Sequence, residues 1–368
     1  MKKSIFMLVT IALILTGCGH NADGLDNMPD SSEDTEVSAT ETGKYSNKIN
    51  HLTEDLGNNV RVDADIEIPD NYTDAISDYK AQSCDFNKEL VFNAFGIEKD
   101  HTANPAPGLY QVEGKANVEI SEGISGGLNY HTNEGTWIQE YDPDYAKSFY
   151  DISNLGEGKA LDFMTPDEAK QCVISTLEKL HIKNAYITHI YALPLEYQKR
   201  IEQYNISNGI LNQADAIGDR WDDLGDCYEL KLAENINGIP LRGSGYIASD
   251  ESAYNGSEMT AFVSKKGIVS FIIPNQYVVG DAIASSSEQI LAPEDILNHL
   301  KQKLDSIVVT ESYTVTNLKL EYFPKIINIT DNEFHLIPIW EVEMTADDQE
   351  KSTMNYLFDA RTGLELEL

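Results

Sequence analysis

From Val60 to Ile68 the chain alternates one for one: Val60, Val62, Ala64, Ile66 and Ile68 are separated by Arg61, Asp63, Asp65 and Glu67. A period of two puts every apolar side chain on one face of a strand, and Pro69, with no amide hydrogen to offer a neighbour, ends it. The spacing next predicts a short helix from Phe86 to Phe95, closed by Gly96. Residues 109–140 read as strands, with Asn133-Glu134-Gly135 as a turn before Trp137. Residues 50–155 are therefore expected to form an N-terminal α+β domain.

Beyond residue 160 the pattern repeats. Thr165-Pro166-Asp167-Glu168 is a helix start, with Thr as N-cap, Pro in the first turn and Glu three residues after the cap. Ala292-Pro293-Glu294-Asp295 is a weaker version of it. Behind the first come Ala169, Val173, Leu177 and Leu180, and behind the second Ile296, Leu300, Leu304 and Ile307, each set on one helical face. Strand blocks follow in the same order. Leu193–Tyr197 answers to Leu318–Tyr322, and Tyr228–Leu232 to Trp340–Met344. The hairpin Phe262…Gly267 answers to Phe358…Gly363. Each unit reads as helix, strand, strand, hairpin, the first over 160–280 and the second over 288–368. The fold class is α+β, with antiparallel sheets each packed by a helix. The first copy is longer, with 31 residues from Tyr197 to Tyr228 against 18 from Tyr322 to Trp340.

The N-terminus has a different grammar. Lys2 and Lys3 precede a mainly apolar run from Ile5 to Leu15, and Leu15-Thr16-Gly17-Cys18 follows. Eleven residues are too few to span a bilayer of about 30 Å as a helix. The layout is that of a bacterial lipoprotein signal: residues 1–17 are the leader, and Cys18 takes the lipid. A diacylglyceryl cysteine supplies two acyl chains, enough for stable anchoring. Residues 18–48, rich in Asp, Glu, Ser, Thr and Asn, read as a disordered acidic tether. The expected location is the extracytoplasmic face of a bacterial cell membrane.

Charge narrows the partners. The chain carries 61 acidic and 27 basic residues, a formal charge of −34, which becomes −36 once the leader with its two lysines is removed. Such a surface repels nucleic acids and anionic headgroups. Of four cysteines, Cys84, Cys172 and Cys227 remain after Cys18. They read as small buried residues, with a Cys172–Cys227 disulfide as the alternative. The additional length of the first copy holds Asp215, Asp219, Asp222, Asp223 and Asp226. Their spacing fits a solvated helix face with Trp221 tucked inward, and a calcium site is the weaker reading. The eight histidines are scattered, and no metal, nucleotide or nucleophile motif is present, so no cofactor and no catalytic residue is assigned. Nineteen tyrosines against eleven phenylalanines suit either strands or a binding surface.

The helix-and-strand units with the terminal Asp359-Ala360-Arg361-Thr362-Gly363 hairpin resemble the PepSY-type unit of bacterial extracytoplasmic proteins. Asn237-Gly238-Ile239-Pro240 is similar to segments of the membrane-tethered YycH/YycI-like regulators. With Val62-Asp63-Ala64-Asp65-Ile66-Glu67-Ile68-Pro69 near its start, the whole chain resembles an uncharacterised family of clostridial-type lipoproteins. That resemblance implies binding to another surface or membrane protein, as a modulator or sensor component, and supplies no catalytic set. The rival classes are a cell-wall hydrolase or peptidase-linked enzyme with an unrecognised site, and a solute receptor.

Overall fold

The computed structural model describes residues 50–69, 75–98, 102–138, 159–209, 211–213, 216–218, 221, 224–247, 253–254, 256–283, 288–307, 309–347 and 352–366. Along the chain come strands β1 (Asn50–Gly57), β2 (Val60–Glu67), β3 (Ala75–Ile76) and β4 (Tyr79–Ser83), then helix α1 (Lys88–Ala94). Strands β5 (Thr102–Ala106), β6 (Leu109–Val112), β7 (Ala116–Ile120) and β8 (Leu128–Thr132) lead into helix α2 (Asn133–Ile138). Helix α3 (Pro166–Lys179), strand β9 (Ala185–Leu193), helix α4 (Leu195–Ser207) and strand β10 (Cys227–Ile236) follow, with short strands β11 (Ile239–Pro240), β12 (Tyr246–Ile247) and β13 (Ala253–Tyr254). The remainder comprises β14 (Met259–Ser264), β15 (Gly267–Ile273), β16 (Tyr277–Ala282), β17 (Glu288–Gln289), helix α5 (Pro293–Asp305), β18 (Tyr313–Asn328), β19 (Glu333–Ala346) and β20 (Thr353–Asp359).

Two large sheets organise these elements. One has seven strands in the order β1-β2-β18-β19-β4-β16, with β20 also on β19; the other has nine in the order β11-β10-β14-β15-β8-β7-β6-β5, with β9 also on β10. Every neighbouring pair is antiparallel except β2 with β18. The fold is α+β, as the alternating and helical patterns predict. In β2 burial alternates strictly, and Val60, Val62, Ala64 and Ile66 enter the core.

Each sheet buries one face under a helix. Ile296, Leu297, Leu300 and Leu304 of α5 pack with Val62, Ile66, Leu318, Leu320, Trp340 and Val342 of the seven-stranded sheet. Ala169, Val173 and Leu177 of α3, joined by Val91 and Phe92 of α1, pack on the nine-stranded sheet with Leu230, Leu232 and Phe271. Burial of apolar area is the main force holding each helix in place, at about 25 cal/mol per Å².

The repeat is visible in the topology, with its strand register corrected. After α3 the strands β9, β10 and β14 pair in succession; after α5, β18, β19 and β20 do the same. Ala192 lies opposite Tyr228 and Leu320 opposite Trp340, so Ala192 and Leu320 are the equivalent residues, and not Leu193 and Leu318. Leu193–Tyr197 is not a strand throughout: β9 stops at Leu193, and Pro194 is the N-cap of α4. Pro194 suits the first turn of a helix because it needs no amide partner. Both hairpin glycines have positive φ, Gly267 at 92° and Gly363 at 66°. The return strand of the second copy shrinks to one bridge, Phe358 with Glu365.

Two further expectations change. Asn133-Glu134-Gly135 is the start of helix α2, not a turn; the Thr132 hydroxyl accepts the Gly135 amide, and any Cβ at Gly135 would meet the Val269 carbonyl. Residues 50–155 are not a separate domain either, since β1, β2 and β4 join the seven-stranded sheet while β5–β8 extend the nine-stranded one. Strand pairing with distant partners, which period-two patterning cannot specify, overrides proximity in sequence.

The two helix starts differ in strength. Thr165 and Glu168 form the reciprocal capping box, whereas Ala292 offers no side-chain cap in the same extended conformation. Thr165→Ala is expected to lower stability by about 1 kcal/mol and Ala292→Ser to raise it by a comparable amount. Urea denaturation midpoints of the two variants against the wild type check both signs.

Candidate functional site

Of the residues singled out from sequence, those that are described do not converge. Cys18, Asp215, Asp219, Asp222 and Asp223 lie outside the described residues. Asp226 is described, and its carboxylate accepts the Leu195 amide at 2.7 Å, supplying the cap that Pro194 cannot give α4. Trp221 is buried, and its indole donates to Glu202 at 2.6 Å; the Ile217 amide donates to the same carboxylate. Among the described residues no three His, Cys, Asp or Glu side chains gather as metal ligands.

Cys172 and Cys227 are both free thiols, which corrects the disulfide alternative. The reason is geometric. Cys172 sits on α3 against one face of the nine-stranded sheet, while Cys227 packs with Phe262, Val269 and α4 on the other. Burial, with Glu229, Glu134 and Asp226 nearby, pushes the Cys227 thiol well up from its ordinary range, so it is an inert core residue.

Sequence reasoning missed two polar clusters that the fold assembles. The first lies on the face of the seven-stranded sheet away from α5. Leu241 forms a parallel bridge to Tyr322, and the Arg242 amide donates to the Tyr322 carbonyl at 2.9 Å. This places the Arg242 guanidinium over the sheet, where Nη1 donates to Glu321 at 2.9 Å and Glu341 at 2.6 Å. Lys319 Nζ reaches the other oxygen of Glu321 at 3.0 Å. Burial raises the Glu341 carboxyl above its ordinary range, as does the Glu321 charge, against the pull of Arg242. For Arg242 burial works against the charge, and the two carboxylates outweigh it. Glu229 occupies the position equivalent to Glu341 in the first copy, and there pairs with Lys231 at 3.0 Å.

On the same face, β1 and β2 continue the charge into solvent. Arg61, Asp63, Asp65 and Glu67 are exposed along β2, and His51 of β1 sits 2.9 Å from both Asp63 and Asp65. Hydrogen bonding to Asp65, then to Asp63, raises the His51 pKa. Among the described residues strand β1 pairs only with β2, and no described strand lies on its outer edge.

The second cluster surrounds Glu234, fully buried at the end of β10. Asn184 Nδ2 donates to its Oε2 at 2.7 Å and Gln276 Nε2 at 2.9 Å, while Oε1 has no hydrogen-bond partner. Burial pushes this carboxyl up to about 8, against the Asn184, Gln276 and Tyr277 hydrogen bonds. The sequence hid Glu234 because Tyr-Glu-Leu-Lys-Leu-Ala-Glu reads as a half-exposed strand. Strands on both sides of β10 and packing on both its faces bury nearly all of it.

No family model matches the chain, and no curated protein matches it. Among solved structures, an uncharacterised protein from Eubacterium rectale superposes with a TM-score of 0.63 at 19% identity, covering 86% of this chain and 93% of that one. This likeness shows a shared fold. YycH from Bacillus subtilis aligns at a TM-score of 0.36 and 9% identity over 79% of this chain and 54% of its own, too low to carry an argument.

Removing Arg242 takes the closest cation from Glu341 and leaves Glu321 with Lys319 alone. Arg242→Met is expected to cost about 3–5 kcal/mol, with part of the loss recovered when Glu321→Gln and Glu341→Gln are added. Denaturant unfolding of the single and triple variants measures both effects.

Proposed function

We propose that the protein is a lipid-anchored, extracytoplasmic binding protein that modulates, or senses for, another surface or membrane protein. The Lys2-Lys3, Ile5–Leu15 and Leu15-Thr16-Gly17-Cys18 series supports the anchor, through a diacylglyceryl group on Cys18. One observation carries the binding role. The sheet face bearing His51, Arg61, Asp63, Asp65 and Glu67 is open to solvent beside the outer edge of β1, where no described strand lies. A flat charged face with such an edge suits a protein partner, which can match charges over an area and add main-chain hydrogen bonds along β1. With 61 acids against 27 bases, the surface steers a partner whose own contact face is basic.

Two measurements test this. Cys18→Ser should abolish incorporation of labelled palmitate and release the protein from the membrane; an unacylated wild type would end the anchoring part. A photo-crosslinking residue at Thr53, which lies opposite Asp63, should capture one recurrent protein in living cells. Asp63→Lys with Asp65→Lys should weaken that capture at least severalfold, more so at low salt. Recovery of lipid and wall polymer alone would end the binding role.

A further inference from the structure

The chain of described elements passes between the two large sheets twice. Strand β4 of the seven-stranded sheet leads through Cys84 to α1 on the nine-stranded one, and β15 of the nine-stranded sheet leads through Asn275 and Gln276 back to β16 of the seven-stranded one. The two crossings touch: the Cys84 amide donates to the Gln276 carbonyl at 2.7 Å, and the Gln276 amide donates to the Gly126 carbonyl at 3.0 Å. Glu234 stands beside that contact. Its carboxyl is held by the Gln276 side chain on one crossing and by Asn184, which precedes β9. Its backbone carbonyl accepts the Leu241 amide, one residue before the arginine that ties this region to the seven-stranded sheet.

We infer that Glu234 is a proton-controlled latch beside the two crossings: neutral, it holds Gln276 and through it the Cys84–Gln276 contact, and ionised, it loosens the junction between the sheets. The groups around it are Asn184, Gln276, Tyr277 and Cys84, and none brings a positive charge. Among the described residues no lysine, arginine or histidine pairs with it. Cys84, the titratable group facing it, is pushed up to about 11 by burial and by Asp85 and Glu234, so it stays a neutral thiol. In the neutral form Glu234 Oε1 can carry the proton as a donor, whereas the ionised form has only acceptors to offer. When the proton leaves to solvent, an uncompensated carboxylate is left fully buried, which favours any state that lets water reach it.

The sign follows from the two proton affinities. A solvated carboxyl titrates near 4.5 and the buried one near 8, so between those values the closed junction holds one proton more than the open one. Closing is complete in acid, weakens as pH rises through this window, and levels off above it. This does not depend on what the protein binds or on its anchor.

Hydrogen exchange on the full chain reads the latch directly. After correction for intrinsic exchange, protection of the Cys84 and Leu241 amides should fall by up to about tenfold per pH unit until about pH 8, then level off. In Glu234→Gln it should stay flat, because the amide keeps the acceptor and cannot ionise. The wild-type infrared difference spectrum between acid and alkaline pH, which needs no variant, should show a protonated carboxyl band lost near pH 8. The Glu234→Gln protein should lack that band. An ionised Glu234 at pH 6, or the same loss of protection in the glutamine variant, would overturn the latch.

Discussion

An amphipathic helix laid on one face of a sheet buries both apolar surfaces at once, and each large sheet has such a helix. Helix α5 takes Val62, Leu318, Leu320 and Trp340, and α3 takes Leu230, Leu232 and Phe271. What happens to the second face then decides the character of each half. In the nine-stranded sheet the second face is covered by α4 and by Ile217, Trp221 and Leu224. In the seven-stranded sheet the second face carries Arg242, Glu321, Glu341 and Lys319, and opens to water along β1 and β2. The longer first copy supplies the covering segment. The shorter second copy has only the β18–β19 connection at that point, and its outer face combines those charges with a small apolar cluster of Phe323, Ile337, Ile339 and Leu357.

How far this was legible in the sequence depends on the range of the interaction. The β2 alternation, the Thr165 capping box, the α5 stripe and the glycine turns at 267 and 363 are local signals, and each reappears where the pattern put it, except that α5 ends at Asp305 and leaves Ile307 of the stripe exposed. The repeat was legible as an order of elements. Its first strand was placed three residues out, because Leu-Pro-Leu-Glu-Tyr resembles Leu-Lys-Leu-Glu-Tyr until Pro194 turns the chain into a helix. Sheet membership was not legible. Nothing in residues 50–132 says that β4 belongs beside β19 and β8 beside β15. The polar clusters were hidden for the same reason, since Glu234 and Arg242 look like ordinary exposed residues until distant strands cover them.

The equivalent acids Glu229 and Glu341 show one solution reached with different partners. Each projects from the second strand of its unit on the face away from the helix, and each is held by a cation, Lys231 in one copy and Arg242 in the other. Lys231 belongs to the same strand and makes a local pair. Arg242 comes from beyond β11, so its pair also joins the β10–β11 region to the seven-stranded sheet. Buried ion pairs gain little net stability over apolar packing, yet they penalise misalignment strongly. That property suits a contact between two separately built sheets.

The parallel pairing of β2 with β18 carries a consequence for how the molecule forms. Arg61 and Thr314, 253 positions apart, are hydrogen-bonded across it. The nine-stranded sheet draws only on residues 102–273 and can assemble as soon as that stretch is made. The β1–β2 hairpin must wait with Val60, Val62 and Ile66 uncovered until the last hundred residues arrive. Long-range pairing of this kind is slow. The β1–β2 hairpin thus cannot dock until β18 has been made, and during that delay its bare apolar face is exposed to misassociation.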